Sequence, residues 1–200
     1  MDSTLAAAIV GGGALIFVEI GKVVVKYYEK KNQRKKANRD LNRATDNDVL
    51  IKSICAEIIE RFGFNRVSVV GYHNGVQTMD GISLKKCSMI QEVTDGYTDQ
   101  IIGEFQNIPC SIAAEMLKEL KETPDGYVIA DDESAVEETA IHQRMFNVRQ
   151  SYNFRIGEGL IDGVLCCAFT GQTRIFEHEE ILELKAYAKR IFVIKQKQIK

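Results

Sequence analysis

Apolar positions in this chain follow first no period, then a helical one, then an alternating one. From Leu5 to Val18 the run LAAAIVGGGALIFV carries no charge, and beyond Glu19 apolar character resumes at Ile20 and Val23 to Val25. About 20 residues at about 1.5 Å rise each cross a bilayer core, so residues 1–25 are predicted to form one transmembrane helix. Lys22 lies near its end, where it snorkels to the interface, and Glu19 one turn away shares that charge. The leading MDST places an acid where a secretory signal peptide carries basic residues, and the basic residues follow instead. Ala7 with Gly11 and Ala8 with Gly12 stand four apart, the spacing that lets two membrane helices pack closely. The competing reading of these positions is ordinary membrane-helix composition.

Residues 26–46 have strong helix formers, no Gly or Pro and few apolar positions, which predicts a solvated helical linker. Beyond it, Asp46 or Asp48 is placed to cap a helix with apolar residues at Leu50, Ile54, Ile58 and Phe62, flanked by Ile51, Cys55 and Ile59 and ended by Gly63. RVSVVGY at 66–72 reads as a strand stopping at an Asn74-Gly75 turn, with a second turn at Asp80-Gly81. Leu84 to Val93 follows as a strand, with Lys85, Cys87, Met89 and Gln91 on one side and Lys86, Ser88, Ile90 and Glu92 on the other. A short amphipathic helix runs from Pro109 towards Leu120, then a strand at Gly126–Ala130 and a helix containing Ile141, Met145 and Val148. Strands at Ser151–Ile156 and Leu160–Thr170 and a long helix at Phe176–Gln198 complete the chain. That order predicts an α/β (α+β) sandwich with a central antiparallel sheet of about five or six strands over residues 47–200.

Charge sharpens the division. The net charge of −2 hides six Lys and three Arg against Glu29 and Asp40 in residues 22–43, so residues 44–200 carry −7. Basic residues flanking a membrane helix stay on the cytoplasmic side, which predicts a cytoplasmic domain. Lys26, Lys30, Lys31, Arg34, Lys35 and Lys36 are then placed to meet anionic lipid headgroups. An acidic domain lacks the clustered cations that nucleic acid requires. Five cysteines show neither a disulfide framework nor a CxxC metal site and read as buried thiols in reducing surroundings. The acidic residues from Asp131 to Glu138 fit no calcium-loop spacing, and His142 and His178 read as ordinary helix residues. GxSxG, HExxH and P-loop motifs are absent, so neither an enzyme, a metal site nor a cofactor is expected.

The segments RVSVVGYHNG (66–75), Gly81, KKCSMIQE (85–92) and DGVLCCAF (162–169) resemble the GAF family of small-molecule sensory domains, specifically a branch found in marine phages and bacteria. The resemblance spans Asn47 to Lys197 and implies a three-layer sandwich that binds a small molecule. It lacks a chromophore-cysteine motif and the Asn-Lys-Phe-Asp-Glu cyclic-nucleotide signature, and so names no ligand. It brings Tyr72, His73, Asn74, Lys86, Ser88 and Glu92 to adjoining strands and a turn. There they form either a ligand site or a structural hydrogen-bond network. The order of membrane helix, linker and α/β domain also resembles the lysis-timing holins of large tailed phages, which would put the domain in the periplasm. Two functions are therefore expected in competition. One is a membrane-anchored, non-enzymatic GAF-like module that binds a small molecule or protein, dimeric or of higher order. The other is a holin-like lysis protein.

Overall fold

The computed structural model describes the backbone of residues 3–77, 83–133, 137–157 and 162–199. The chain forms two compact units, Met1–Thr45 and Asp46–Lys200. Helix α1, Ser3–Phe62, runs without a break, so the cap expected at Asp46 or Asp48 is not used. No Gly or Pro between residues 22 and 62 gives the backbone reason to stop. In the first unit, side chains 25–43 are exposed, including the six basic residues assigned to lipid headgroups. Side chains 3–24, on which the membrane-helix expectation and Ala7, Ala8, Gly11 and Gly12 rest, lie outside the described residues. Among the described residues, no helix is long and apolar enough to cross a membrane.

The second unit is a six-stranded antiparallel sheet with helices on both faces. Its strands are β1 (Arg66–Gln77), β2 (Ser83–Thr94), β3 (Ile108–Pro109), β4 (Tyr127–Asp131), β5 (Gln150–Ile156) and β6 (Gly163–Phe169), in the order β3-β2-β1-β6-β5-β4. Helices α2 (Ala114–Glu122), α3 (Glu137–Met145) and α4 (His178–Ile199) complete it, with a 3₁₀ turn at Cys110–Ala113 before α2. The expected element order holds, with β3 as an addition. Its two residues are too few to show a period.

The main core lies between one face of the sheet and the helices α1 and α4. Val67 and Val69, Tyr152, Phe154 and Ile156, and Leu165, Cys167 and Phe169 supply the sheet side. Ile51, Ile54, Cys55, Ile58 and Phe62 meet them from α1, and Ile181, Leu184, Ala188 and Ile191 from α4. Each Val, Leu, Ile or Phe side chain among them contributes about 1.5–3 kcal/mol of burial. The stripe on α1 includes Ile51 in place of Leu50, which is exposed. Gly63 ends α1 as expected: at φ 75° its N–H reaches back to the Ile59 carbonyl at 2.9 Å. That left-handed turn favours glycine.

Two local readings are corrected. Asn74-Gly75 is no turn, because β1 continues to Gln77 and Asn74 pairs with Lys85. Residues 78–82, on which the expected Asp80-Gly81 turn falls, lie outside the described residues. Strand β2 does not alternate evenly either. Val69 pairs with Gln91 and Val70 with Met89, so Ile90 is the extra residue of a β-bulge. Past the bulge the side-chain parity inverts, and Glu92, opposite Ser68, shares a face with Met89 and Cys87.

Candidate functional site

The second face of the sheet is less completely filled than the first. Alternation along β1 presents Arg66, Ser68, Val70 and Tyr72 there, and β6 adds Val164, Cys166 and Ala168. Ser151 and Asn153 come from β5, Cys87 and Met89 from β2. Leu120 of α2 seals one part against Val128 and Val164. Elsewhere Ile101 and Phe105, Ile108 and Pro109, Ile112, Met116 and Leu117, and Gln143, Phe146 and Val148 roof a cavity of about 130 Å³. It is concave and mostly apolar with a few polar groups, the usual character of a small-molecule site.

One wall is held by a buried ion pair. Arg66 Nε stands 3.1 Å from Glu92 Oε1, with 4% and 0% of the two side chains exposed. The contact is electrostatic rather than an aligned hydrogen bond, since Nε has no partner in hydrogen-bond geometry. The rest of the guanidinium is satisfied: Nη2 donates to the Asp99 carbonyl at 2.8 Å and Nη1 to the Phe146 carbonyl at 3.1 Å. Glu92 accepts from the N–H groups of Ile101 and Ile102 at 3.0 and 2.9 Å. One ion pair thus fastens both roofing segments, the one after β2 and the one after α3, to the sheet.

A second polar group is not satisfied. The Tyr72 hydroxyl is buried at the cavity wall and has no hydrogen-bond partner among the described residues. Burial pushes its phenol above the usual range, and the neighbouring Cys87 and Cys110 thiols act in the same sense. Cys87, whose thiol donates to the Ile108 carbonyl at 3.6 Å, is itself pushed up to about 12, chiefly by burial. At the opposite end Ser151 Oγ accepts from Gln143 Nε2 at 2.8 Å and Asn153 Nδ2 at 2.9 Å. Cys166 lies beside this cluster; burial raises its thiol to about 11, although the Arg66 charge and the Ser68 and Ser151 hydroxyls draw it back.

The residues singled out from the sequence are divided rather than gathered. Tyr72 lines the cavity. Glu92 points to the same face, but its carboxylate is engaged by Arg66 and the loop amides. His73 and Ser88 sit on the opposite face, with Nε2 and Oγ 2.9 Å apart, and Ser88 Oγ also accepts the Asn107 N–H at 2.9 Å. Lys86, half-buried, pairs with His73 and Pro109 across the sheet. Asn74 belongs to β1, and its side chain lies outside the described residues. Cys87 looks into the cavity while His73 turns to Ser88, so strand geometry sends thiol and imidazole to different faces. All five cysteines are free, and the described residues contain no group of three metal-ligating side chains.

Sequence reasoning missed Arg66, Met89 and the whole roof. A usable signal was present in Arg66 and Glu92, opposite charges near the paired ends of two adjoining strands. The roof gave none, because its residues become neighbours of the sheet only through tertiary packing.

No family model and no curated protein sequence matches the chain. Solved structures do match in fold. The blue-light-absorbing form of the Thermosynechococcus elongatus PixJ GAF domain aligns at TM-score 0.58 and 16% identity, over 80% of this chain and 90% of that one. A phycocyanobilin-bound GAF domain from a cyanobacterial phytochrome aligns at 0.61 and 15% identity, over 80% and 92%. A far-red-absorbing dark state with bound biliverdin IXa aligns at 0.61 and 14% identity, over 82% and 98%. The fold is GAF-like.

Proposed function

We propose that this chain is a sensory or interaction module whose GAF-like domain binds a small molecule in the cavity between the sheet and helices α2 and α3. The observation that carries the reading is a largely apolar cavity of about 130 Å³ at whose wall the Tyr72 hydroxyl is buried without a partner among the described residues. A buried hydroxyl without a partner costs about 1–3 kcal/mol, which a ligand offering one would recover. The structural neighbours with bound biliverdin and phycocyanobilin support small-molecule binding in general. The cavity itself suits something smaller, since drug-sized ligands fill about 300–1,000 Å³.

The module is anchored through residues 1–25, whose uncharged run and basic flank carry that part of the reading. It performs no catalysis and passes its state to a partner or to a second copy of itself. A thermal-shift screen of small molecules on the full chain in detergent tests the binding. Met116→Trp, which fills the cavity, should abolish any shift found; a shift that survives the filling places the ligand elsewhere. Flotation with liposomes tests the anchor: the full chain should float and a chain lacking residues 1–25 should not.

A further inference from the structure

We propose that the cavity selects an uncharged, compact aromatic molecule bearing a single hydrogen-bond acceptor, and that Tyr72 donates to that acceptor. This rests on the reading of the cavity as a ligand site and narrows the class of ligand.

Charge is the first constraint. Among the described residues that line the cavity Arg66 is the one ionic side chain, and it is already paired with Glu92 and bonded to two carbonyls. An anion would find no uncommitted cation there, and a cation no anion. Burying either without a partner is costly, so the walls reject ions of both signs.

Size and surface are the second. A cavity of about 150 Å³ lined by aliphatic and aromatic side chains takes up benzene. This one, at about 130 Å³, has room for one ring with a short substituent. Phe105 and Phe146, with ring centroids 5.3 Å apart, offer faces and edges to such a ring, and Met89 and Met116 offer polarisable thioethers.

Direction of the hydrogen bond is the third. The Tyr72 oxygen is buried and unpartnered, and the thiols beside it, Cys87 and Cys110, are weak hydrogen-bonding groups. The protonated phenol has an O–H that no described group accepts, and that donor is assigned to the ligand. A ketone, aldehyde, ester or quinone oxygen fits, whereas a saturated hydrocarbon leaves the hydroxyl unpaired and a carboxylate brings a charge that the walls cannot balance.

Three probes on the full-length chain test this by titration calorimetry: toluene, acetophenone and benzoate. They share a ring and differ in acceptor and charge. Acetophenone should bind about five- to tenfold more tightly than toluene, the worth of one buried hydrogen bond, and benzoate should not bind. Tyr72→Phe should remove the margin by weakening acetophenone alone. Equal affinity for toluene and acetophenone, a margin that persists in Tyr72→Phe, or preference for benzoate would each overturn the proposal. The comparison of probes on the unsubstituted chain stands even if the variant folds poorly. Binding of none of the three also overturns the ligand class. The cavity reading then stands or falls separately, on whether a molecule from the broader screen loses its binding in Met116→Trp.

Discussion

Arg66 Nε lies 3.1 Å from Glu92 Oε1 although the two residues are not cross-strand partners: Arg66 pairs with Thr94, and Glu92 with Ser68. The diagonal contact exists because the bulge at Ile90 inverts the parity of β2. Without that extra residue Glu92 would point to the opposite face of the sheet, away from Arg66. The ion pair in turn holds the roof of the cavity, so a single inserted residue in an edge-proximal strand decides whether the site is enclosed.

Breaking the pair from one side should therefore be expensive. Glu92→Gln leaves a buried guanidinium uncompensated and is expected to lower unfolding stability by about 3–5 kcal/mol, read as a shift of the urea midpoint. Arg66→Met combined with Glu92→Leu should be less destabilised than Glu92→Gln alone. A double variant as unstable as the single one would show that the backbone contacts of Arg66, not the ion pair, carry the energy.

Gly163 and Gly71 face each other across β6 and β1 but should respond differently to the same substitution. A Cβ on Gly163 would meet the Val70 carbonyl oxygen at 2.5 Å, a backbone atom that cannot yield without moving the sheet. A Cβ on Gly71 meets only the Ile90 side chain at 3.4 Å. Gly163→Ala is expected to cost about 1–3 kcal/mol, with Gly71→Ala within about 1 kcal/mol of the parent. Thermal unfolding of the two variants side by side measures the difference.

Ser88 makes its contacts on the face of the sheet opposite the cavity. Its hydroxyl accepts the N–H of Asn107, a residue held at φ 58°, and contacts His73. Ser88→Ala should lower stability by about 1–2 kcal/mol while leaving the affinity of any cavity ligand unchanged, because the side chain lies on the other face of the sheet. A selective loss of ligand affinity, with stability intact, would move the site to that face.

Alkaline pH should destabilise the domain. Burial pushes Cys55 and Cys87 up to about 12 and Cys166 to about 11, from an ordinary 9.0. Above pH 9 the unfolded chain releases these protons while the folded chain keeps them, so the unfolded state binds fewer. The stability they contribute is present in full below about pH 9 and is lost as pH rises towards 12. Urea midpoints at pH 7, 9 and 10.5 should fall mainly over the last interval, and Cys55→Ala should flatten that fall.

What the sequence determined by itself are the features whose cause is local. The periodicity of Ile54, Ile58 and Phe62, the stop at Gly63, the doubly buried β6 and the stripe from Ile181 to Ile191 can each be read from neighbours within a turn or a strand. Together with the motifs at 66–75, 85–92 and 162–169 they sufficed for a GAF-like resemblance that the structural neighbours bear out at the level of fold. Tertiary structure alone decided the rest. Asn74-Gly75 stays in β1 because pairing with β2 outweighs the local turn preference of an Asn-Gly step. Glu92 changes face because of a bulge that no composition announces. Tyr72 stood among the residues chosen from sequence, yet its partners in the cavity come from a loop and two helices brought over the sheet by packing. Alternation and capping act over a few residues and leave their mark in the sequence; register and enclosure are set by contacts between distant segments, and those are fixed only when the chain has folded.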